Sequence, residues 1–278
     1  MKLIATSIFL SGLLMLLGCG SSEPVEQLSA EKRFAVGVRL FNNGDYLDAI
    51  EDFKIVTLQF QGSSVADAAQ YYLAECRYER EEYILAAYEY ETLLRTMPTS
   101  PYATKARYKR AMCYYRLSPP AYLDQDYTRK AIDEFQAFIE YTPTDSLVHD
   151  AEAKITELNS KLAKKDYDDG VQYMRMDYYR AAIVYFESVL EKYHDTPYAE
   201  LAQLKKCEAL SMRKKYADAM AELDVFYRKY PNSQSKEDAD RLLVQLKQQI
   251  AVQKAEAEKE PKKTQNAPAK PEGVSKNQ

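Results

Sequence analysis

The chain has 278 residues, of which 46% are hydrophobic and 29% are charged. It carries 38 Lys and Arg against 42 Asp and Glu, which gives a formal net charge of −4 at pH 7. A nucleic-acid-binding protein needs a basic face, so this mildly acidic balance gives no support for a nucleic-acid partner.

Residues 1–18 are predicted to be a secretory signal peptide. Met1 and Lys2 give a short positive start, and the uncharged apolar run that follows is too short to span a bilayer comfortably. The run ends in Leu-Leu-Gly directly before Cys19, which resembles the bacterial lipobox. The resemblance implies cleavage before Cys19, acylation of that cysteine and a lipidated tether over residues 19–29. An ordinary signal peptide with an incidental cysteine is the alternative.

One sequence phrase recurs five times along the chain. It places an alanine three residues after a Tyr or Thr and a large apolar residue four residues after that alanine: Tyr46-Ala49-Phe53, Tyr83-Ala86-Tyr90, Thr128-Ala131-Phe135, Tyr179-Ala182-Phe186 and Tyr216-Ala219-Leu223. A second stretch with helical spacing precedes each phrase, often with a small residue such as Gly37 or Gly170. The pattern predicts a helix-turn-helix unit, which buries its apolar face only by stacking on neighbouring units.

These units resemble the tetratricopeptide repeat (TPR), most clearly in FNNGDYLDAIEDF, although the usual early Trp is missing. The resemblance covers roughly residues 30–235. It implies an all-α fold, an α-solenoid of five TPR repeats.

Unequal spacing of the repeated alanines locates two insertions. The first is SPPAYLDQDY, between the two helices of the third repeat, and the second predicts one long helix between repeats three and four. A C-terminal capping helix follows the fifth repeat. The predicted domains are repeats one to three over 30–146, repeats four and five with the linking and capping helices over 147–250, and a helix end with a disordered tail over 251–278.

The sequence predicts no catalytic set and no metal site. Neither His149 nor His194 has a Cys or His at ligand spacing, and no Gly-rich phosphate loop or G-x-S-x-G motif is present. The cysteines Cys76, Cys113 and Cys207 lack C-x-x-C spacing, which favours packing as buried hydrophobic residues. We therefore expect no enzyme activity, no cofactor, and a function based on binding.

Aromatic pairs seven residues apart recur on the first helices of repeats one to three, and this spacing places each pair on one helix face. The candidates are Phe34 with Phe41, Tyr71 with Tyr78 and Tyr108 with Tyr115, with the polar neighbours Glu75 and Arg116. Their offsets match positions that line the concave groove of TPR proteins, so they predict an aromatic-floored groove for an extended peptide. Core packing between stacked helices is the alternative, and the pattern leaves both open.

Three segments together resemble the BamD (YfiO) family of outer-membrane β-barrel assembly lipoproteins. They are SPPAYLDQDYTRKAIDEFQAFIEYTPTDS, LVHDAEAKITELNSKLAKKDYDDGVQYM and YYRAAIVYFESVLEKYHDTPYAELA. The resemblance implies a lipid-anchored subunit on the periplasmic face of the cell outer membrane. Its implied partners are a BamA-like barrel insertase, which would dock on repeats four and five and the linking helix, and other assembly-machine subunits. It also implies that the subunit helps to recognise and insert unfolded outer-membrane proteins, whose extended C-terminal strands suit an aromatic groove.

Two other classes of protein share some of these features. A TPR scaffold lipoprotein that coordinates cell-wall synthesis or another envelope complex would have the lipobox and the repeats, but it would not need the Pro-Pro insertion. A nutrient-binding lipoprotein of the SusD type would be much longer and would use Trp to stack sugars, so a chain without Trp fits that class poorly.

Overall fold

The computed structural model describes residues 28–259. The predicted signal peptide, Cys19, most of the predicted tether and the predicted tail from residue 260 lie outside the described residues. Within residues 28–259 the chain forms eleven α-helices and no β-strand. The helices are α1 (Ala30–Asn43), α2 (Tyr46–Gln59), α3 (Ala66–Glu79), α4 (Tyr83–Thr96), α5 (Ala103–Leu117), α6 (Asp126–Tyr141), α7 (Val148–Arg175), α8 (Tyr179–Lys192), α9 (Pro197–Met212), α10 (Tyr216–Lys229) and α11 (Lys236–Lys259).

Helices α1 to α10 form five consecutive helix-turn-helix pairs, and α11 follows the last pair. In every pair the repeated alanine and the large residue four positions later are fully buried: Ala49 with Phe53, Ala86 with Tyr90, Ala131 with Phe135, Ala182 with Phe186 and Ala219 with Leu223. The small side chain lets the two backbones approach, and the large one fills the space beside it. The predicted all-α solenoid of five TPR repeats is therefore confirmed.

Close helix packing depends on glycine at two equivalent positions. A Cβ atom on Gly37 would lie 2.7 Å from the Phe53 ring, and one on Gly170 would lie 2.6 Å from the Phe186 ring. Real Cβ atoms do not approach other atoms so closely, so each phenylalanine occupies the space that any side chain on the facing helix would need.

By internal contacts the chain divides into two compact units. Unit one is residues 28–110 of the described chain and unit two is residues 111–259. The predicted grouping of repeats places its division at residue 146 instead. The two divisions differ because α6 packs extensively against α7. This packing joins the second helix of repeat three to the repeats that follow.

The long predicted helix between repeats three and four is present as α7. Its 28 residues include Gly170, so the same helix serves as the first helix of repeat four. It packs against α6, α8 and α9 within unit two. The final helix α11 packs against α10 and α9 and buries Leu242 and Leu246, which gives the array its predicted capping helix.

The SPPAYLDQDY insertion joins α5 to α6, as its position in the sequence predicts, and its last two residues are the first two of α6. Asp126 is the first residue of α6, and the preceding Gln125 makes no side-chain capping bond. Gln125 is instead fully buried and its amide holds the loop together, because its Nε2 donates to the carbonyl oxygens of Pro120 at 2.9 Å and Leu123 at 3.0 Å.

Candidate peptide-binding surfaces

The first predicted aromatic pair packs into the core of unit one. The Phe34 ring lies 5.8 Å from Phe53 and 5.8 Å from Tyr72, and the Phe41 ring lies 5.3 Å from Tyr72, all between ring centroids. Both phenylalanines remain partly exposed at its edge. Tyr72 packs with this pair, although the seven-residue spacing of the aromatic pairs did not predict it. Its position directly after Tyr71 was the available signal.

The second predicted pair divides between a buried and a partly exposed residue. Tyr71 is only 9% exposed and stacks on Tyr102 at 4.8 Å. Burial, and after it the Glu75 carboxylate, raises the pKa of the Tyr71 hydroxyl, so this hydroxyl stays protonated. Tyr78 is partly exposed, and its ring packs edge-on against Tyr83 at 5.3 Å. Of this pair, Tyr78 is the residue that a ligand could reach.

Glu75 is buried and acts as a polar link between helices. It is 9% exposed, accepts a hydrogen bond from the Tyr90 hydroxyl and forms an ion pair with Lys109 at 3.0 Å. The same Lys109 ammonium lies 4.4 Å from the centroid of the Tyr78 ring. Because its oxygens have partners, Glu75 positions Lys109 and Tyr78 rather than facing an open groove.

The third predicted pair lies on α5. Tyr108 is half-buried in unit one. In unit two, the Tyr115 hydroxyl donates to the Glu157 carboxylate at 2.8 Å, and Lys154 lies 4.7 Å from its ring centroid. Arg116, the next residue, is exposed. The third pair therefore supplies one half-buried ring to each unit.

Each position in the helices of repeats one and two has an equivalent in repeats four and five, always the same number of residues later in the sequence. In repeat two, Gln70 Nε2 donates to the Glu89 carbonyl at 3.0 Å and to its carboxylate at 2.8 Å. In repeat five, Gln203 makes the same two bonds to Glu222 at 3.0 Å and 2.8 Å. These hydrogen bonds match, and Phe34 corresponds to the aromatic Tyr167. The other aromatic candidates have no aromatic equivalent: Phe41 corresponds to Met174, Tyr71 to Leu204 and Tyr78 to Ser211.

Unit two contains a cleft of about 790 Å³ that the sequence did not predict. Its walls include Pro120 and Tyr122 of the SPPAYLDQDY loop, Lys161 of α7, and Pro197 and Tyr198 at the start of α9. The volume is that of an ordinary ligand or peptide pocket. The sequence signal was present in the two proline-tyrosine segments, but their proximity depends on how α7 packs between them.

Chemically reactive groups are sparse in the described part of the chain. The thiols of Cys76, Cys113 and Cys207 are buried, as predicted for packing residues. Burial raises the pKa of the Cys76 and Cys207 thiols to about 12, which keeps them protonated and unreactive. Among residues 28–259 no group of three or more His, Cys, Asp or Glu could hold a metal ion. No helix in that range is long and apolar enough to cross a membrane.

Comparison with known families decides the class of this protein. The family model described as YfiO, outer membrane lipoprotein, matches residues 26–215, which is more than half of the chain. The chain belongs to the YfiO family of outer membrane lipoproteins. The family resemblance inferred from the sequence is thus confirmed. The match covers the first four repeats and the first helix of the fifth, and it ends just before α10.

Curated relatives of this YfiO family member share the name outer membrane protein assembly factor BamD. The Rickettsia prowazekii protein is 26% identical over 232 residues, which cover 83% of this chain and 92% of that protein. The Caulobacter vibrioides protein is 24% identical over 184 residues, which cover 66% of this chain and 60% of that protein. This chain therefore spans nearly the full length of one relative and about three fifths of the other.

Two solved TPR structures are also similar to the chain at low sequence identity. The P58(IPK) TPR domain is 17% identical with a TM-score of 0.40, covering 85% of this chain and 62% of that one. The TPR2AB domain of yeast Sti1, solved as a pHSP90 complex, is 17% identical with a TM-score of 0.38, covering 78% and 98%. The assignment of the repeat fold rests on the helices of this chain itself.

Proposed function

We propose that this chain is an outer membrane protein assembly factor, a non-enzymatic subunit of the β-barrel assembly machine. The observation that carries the proposal is the match of residues 26–215 to the YfiO family, together with relatives that are named for this role. In this role the protein is anchored through acylated Cys19, faces the periplasm, and binds a BamA-like barrel insertase and other assembly-machine subunits. It helps to recognise and insert unfolded outer-membrane proteins.

Unit one is the proposed site for an extended client peptide. Tyr78 offers a partly exposed ring. Phe41, at the equivalent position of repeat one, is also partly exposed. Between Lys105 and Arg110, α5 carries four basic residues and no acidic residue. Exposed aromatic surface next to positive charge suits a peptide that ends in an aromatic residue and a free carboxylate. The buried Tyr71 and Glu75 would support this surface from below.

A pull-down of the native protein from detergent-solubilised membranes tests the proposed function. We expect a barrel insertase of the BamA type to be recovered with the wild-type chain. A Cys19→Ala variant, exported but not acylated, should be released from the membrane fraction and should recover less of the insertase. Repeated recovery of cell-wall synthesis factors without a barrel insertase would instead support the second candidate, a TPR scaffold lipoprotein of another envelope complex.

A further inference from the structure

The cleft of unit two is a preformed site with an apolar interior. Pro120, Tyr122, Pro197 and Tyr198 contribute its apolar walls, and Tyr122 is 78% exposed. Proline and tyrosine side chains arranged in this way form the grooves that bind extended proline-containing segments, because proline rings pack flat against aromatic rings. The client peptide is proposed to bind in unit one, so it does not account for this cleft.

The loop that forms one wall of the cleft is held in place by buried hydrogen bonds. The hydroxyl of Thr128 donates to Gln125 Oε1 at 2.7 Å and lies 2.7 Å from the Ser118 hydroxyl. The Lys161 ammonium on α7 donates to that Ser118 hydroxyl at 2.8 Å, which fixes the loop to the long helix. A wall that is ordered before binding lowers the entropic cost of binding.

The charges around the cleft favour a basic occupant. Three acidic residues, Glu157, Asp168 and Asp195, line it against two lysines. Both lysines are already engaged, Lys161 with Ser118 and Lys164 with Asp168 at 2.6 Å. The cleft therefore presents a slightly negative rim around an apolar floor.

The segment that follows α11 has the complementary composition. Residues 268–278 contain two lysines and one glutamate, with prolines at Pro268 and Pro271. Lys270 directly precedes Pro271 and Lys276 follows five residues later. The segment thus combines positive charge with the side chain that a proline-tyrosine wall accepts.

The segment is also long enough to run back to the level at which α11 begins. Helix α11 has 24 residues and is therefore about 36 Å long. It begins near the cleft, because Ser233 in the preceding turn donates a hydrogen bond to Glu200 in the first turn of α9, close to Tyr198. Pro271 is twelve residues past Lys259, which is about 40 Å of extended chain. The residues after Lys259 can therefore run back along α11 as far as the beginning of that helix.

We propose that the cleft binds the segment 268–278 of the same chain, with Pro271 between the rings of Tyr122 and Tyr198 and its flanking lysines at the acidic rim. The segment would cover an apolar surface of unit two. This proposal does not rest on the assembly function, and either can fail without the other.

Site-specific photo-crosslinking in the full-length protein tests this proposal. With p-benzoylphenylalanine at position 122, we expect crosslinks to peptides within 268–278, identified by mass spectrometry. In a mixture of isotopically heavy and light protein, these crosslinks should join segments of the same molecule. The double variant Pro268→Ala/Pro271→Ala should lower the yield by roughly fivefold, the effect of losing one stacked ring contact.

Two matched controls separate docking from chance encounter. Pro261→Ala should leave the yield unchanged, because Pro261 is only two residues past Lys259 and cannot reach the cleft. The same photo-reactive residue at position 178, where Tyr178 is 58% exposed in the turn before α8, should give no crosslink to 268–278. Three results would overturn the proposal: no crosslink from position 122 to this segment, a yield that the proline pair does not affect, or crosslinks only between different molecules.

Discussion

Glu75 and Lys109 form an ion pair at 3.0 Å within unit one, and the Lys109 ammonium lies 4.4 Å from the Tyr78 ring centroid. The carboxylate is 9% exposed, so the pair is largely removed from water. It fixes the position of the one tyrosine of its predicted pair that a ligand could reach. The buried half of the predicted groove thereby orders the exposed half.

Replacing Glu75 with Gln should destabilise the protein by about 2–3 kcal/mol, because Lys109 would keep its charge in a partly buried place without a counter-charge. The exposed Glu79, four residues later on α3, is the control. Glu79→Gln should change the free energy of unfolding by less than about 0.5 kcal/mol. Urea unfolding followed by circular dichroism measures both. Equal effects of the two variants would mean that the ion pair contributes nothing.

The peptide surface proposed for unit one can be tested by substituting residues that the chain itself has at equivalent positions. Phe41→Met and Tyr78→Ser copy Met174 and Ser211 of repeats four and five. We expect the double variant to fold and to lose most of its crosslinking to a synthetic peptide that ends in an aromatic residue, because aromatic contacts dominate such binding. The reverse pair, Met174→Phe and Ser211→Tyr, is the control and should leave crosslinking unchanged. Full binding by the first double variant would place the peptide elsewhere.

Gly37→Ala and Gly170→Ala should each destabilise the protein by about 1–3 kcal/mol. The added methyl group would meet the Phe53 or Phe186 ring at 2.7 Å or 2.6 Å, and the resulting strain exceeds the gain in helix propensity. Gly62→Ala is the control, since nothing lies within 4 Å of its added Cβ. Thermal unfolding distinguishes them: a Gly37→Ala protein as stable as Gly62→Ala would contradict the close packing.

A turn residue with positive φ offers a stabilising substitution. Lys214 has a φ of 60° in the turn before α10, where the equivalent first-repeat turn uses a glycine, Gly44, with a φ of 85°. Glycine adopts this conformation without strain, so Lys214→Gly should stabilise the protein by about 0.5–1 kcal/mol, and Gly44→Ala should destabilise it by about 1 kcal/mol. The midpoint of urea unfolding reports both changes. A lower midpoint for Lys214→Gly would contradict the strain.

Acidification should lower the stability of the folded protein, because it protonates Glu222. Burial alone would raise the pKa of this carboxyl, but hydrogen bonds from Lys206 at 2.8 Å and Gln203 at 2.8 Å hold the pKa below its usual value of 4.5. A lowered folded-state pKa contributes stability above the unfolded-state value, and this contribution is lost as the pH falls below about 4.5. Glu222→Gln should therefore destabilise the protein at pH 7 more than at pH 3. A deficit independent of pH would contradict this assignment.

The repeat architecture could be predicted because its signals are local. Ala49 and Phe53, and each later pair like them, lie four residues apart on one helix, so their burial follows from the sequence. The groove was harder to predict from the sequence. Helical spacing alone does not distinguish a helix face that packs on a neighbouring helix, such as that of Tyr71, from one that a ligand can reach, such as that of Tyr78. The cleft could not be predicted, since Tyr122 and Tyr198 line the same cleft only because of how α7 packs.

Depletion of the protein from its own cells is a direct test of its role in outer membrane protein assembly. We measure the amount of heat-modifiable, folded β-barrel proteins in the outer membrane while the chromosomal gene is shut off and a plasmid copy is supplied. We expect the amount of folded β-barrel proteins to decrease during depletion. The wild-type chain should restore this amount more fully than the Cys19→Ala variant does. Unchanged levels of folded barrels in fully depleted cells would contradict a role in outer membrane protein assembly.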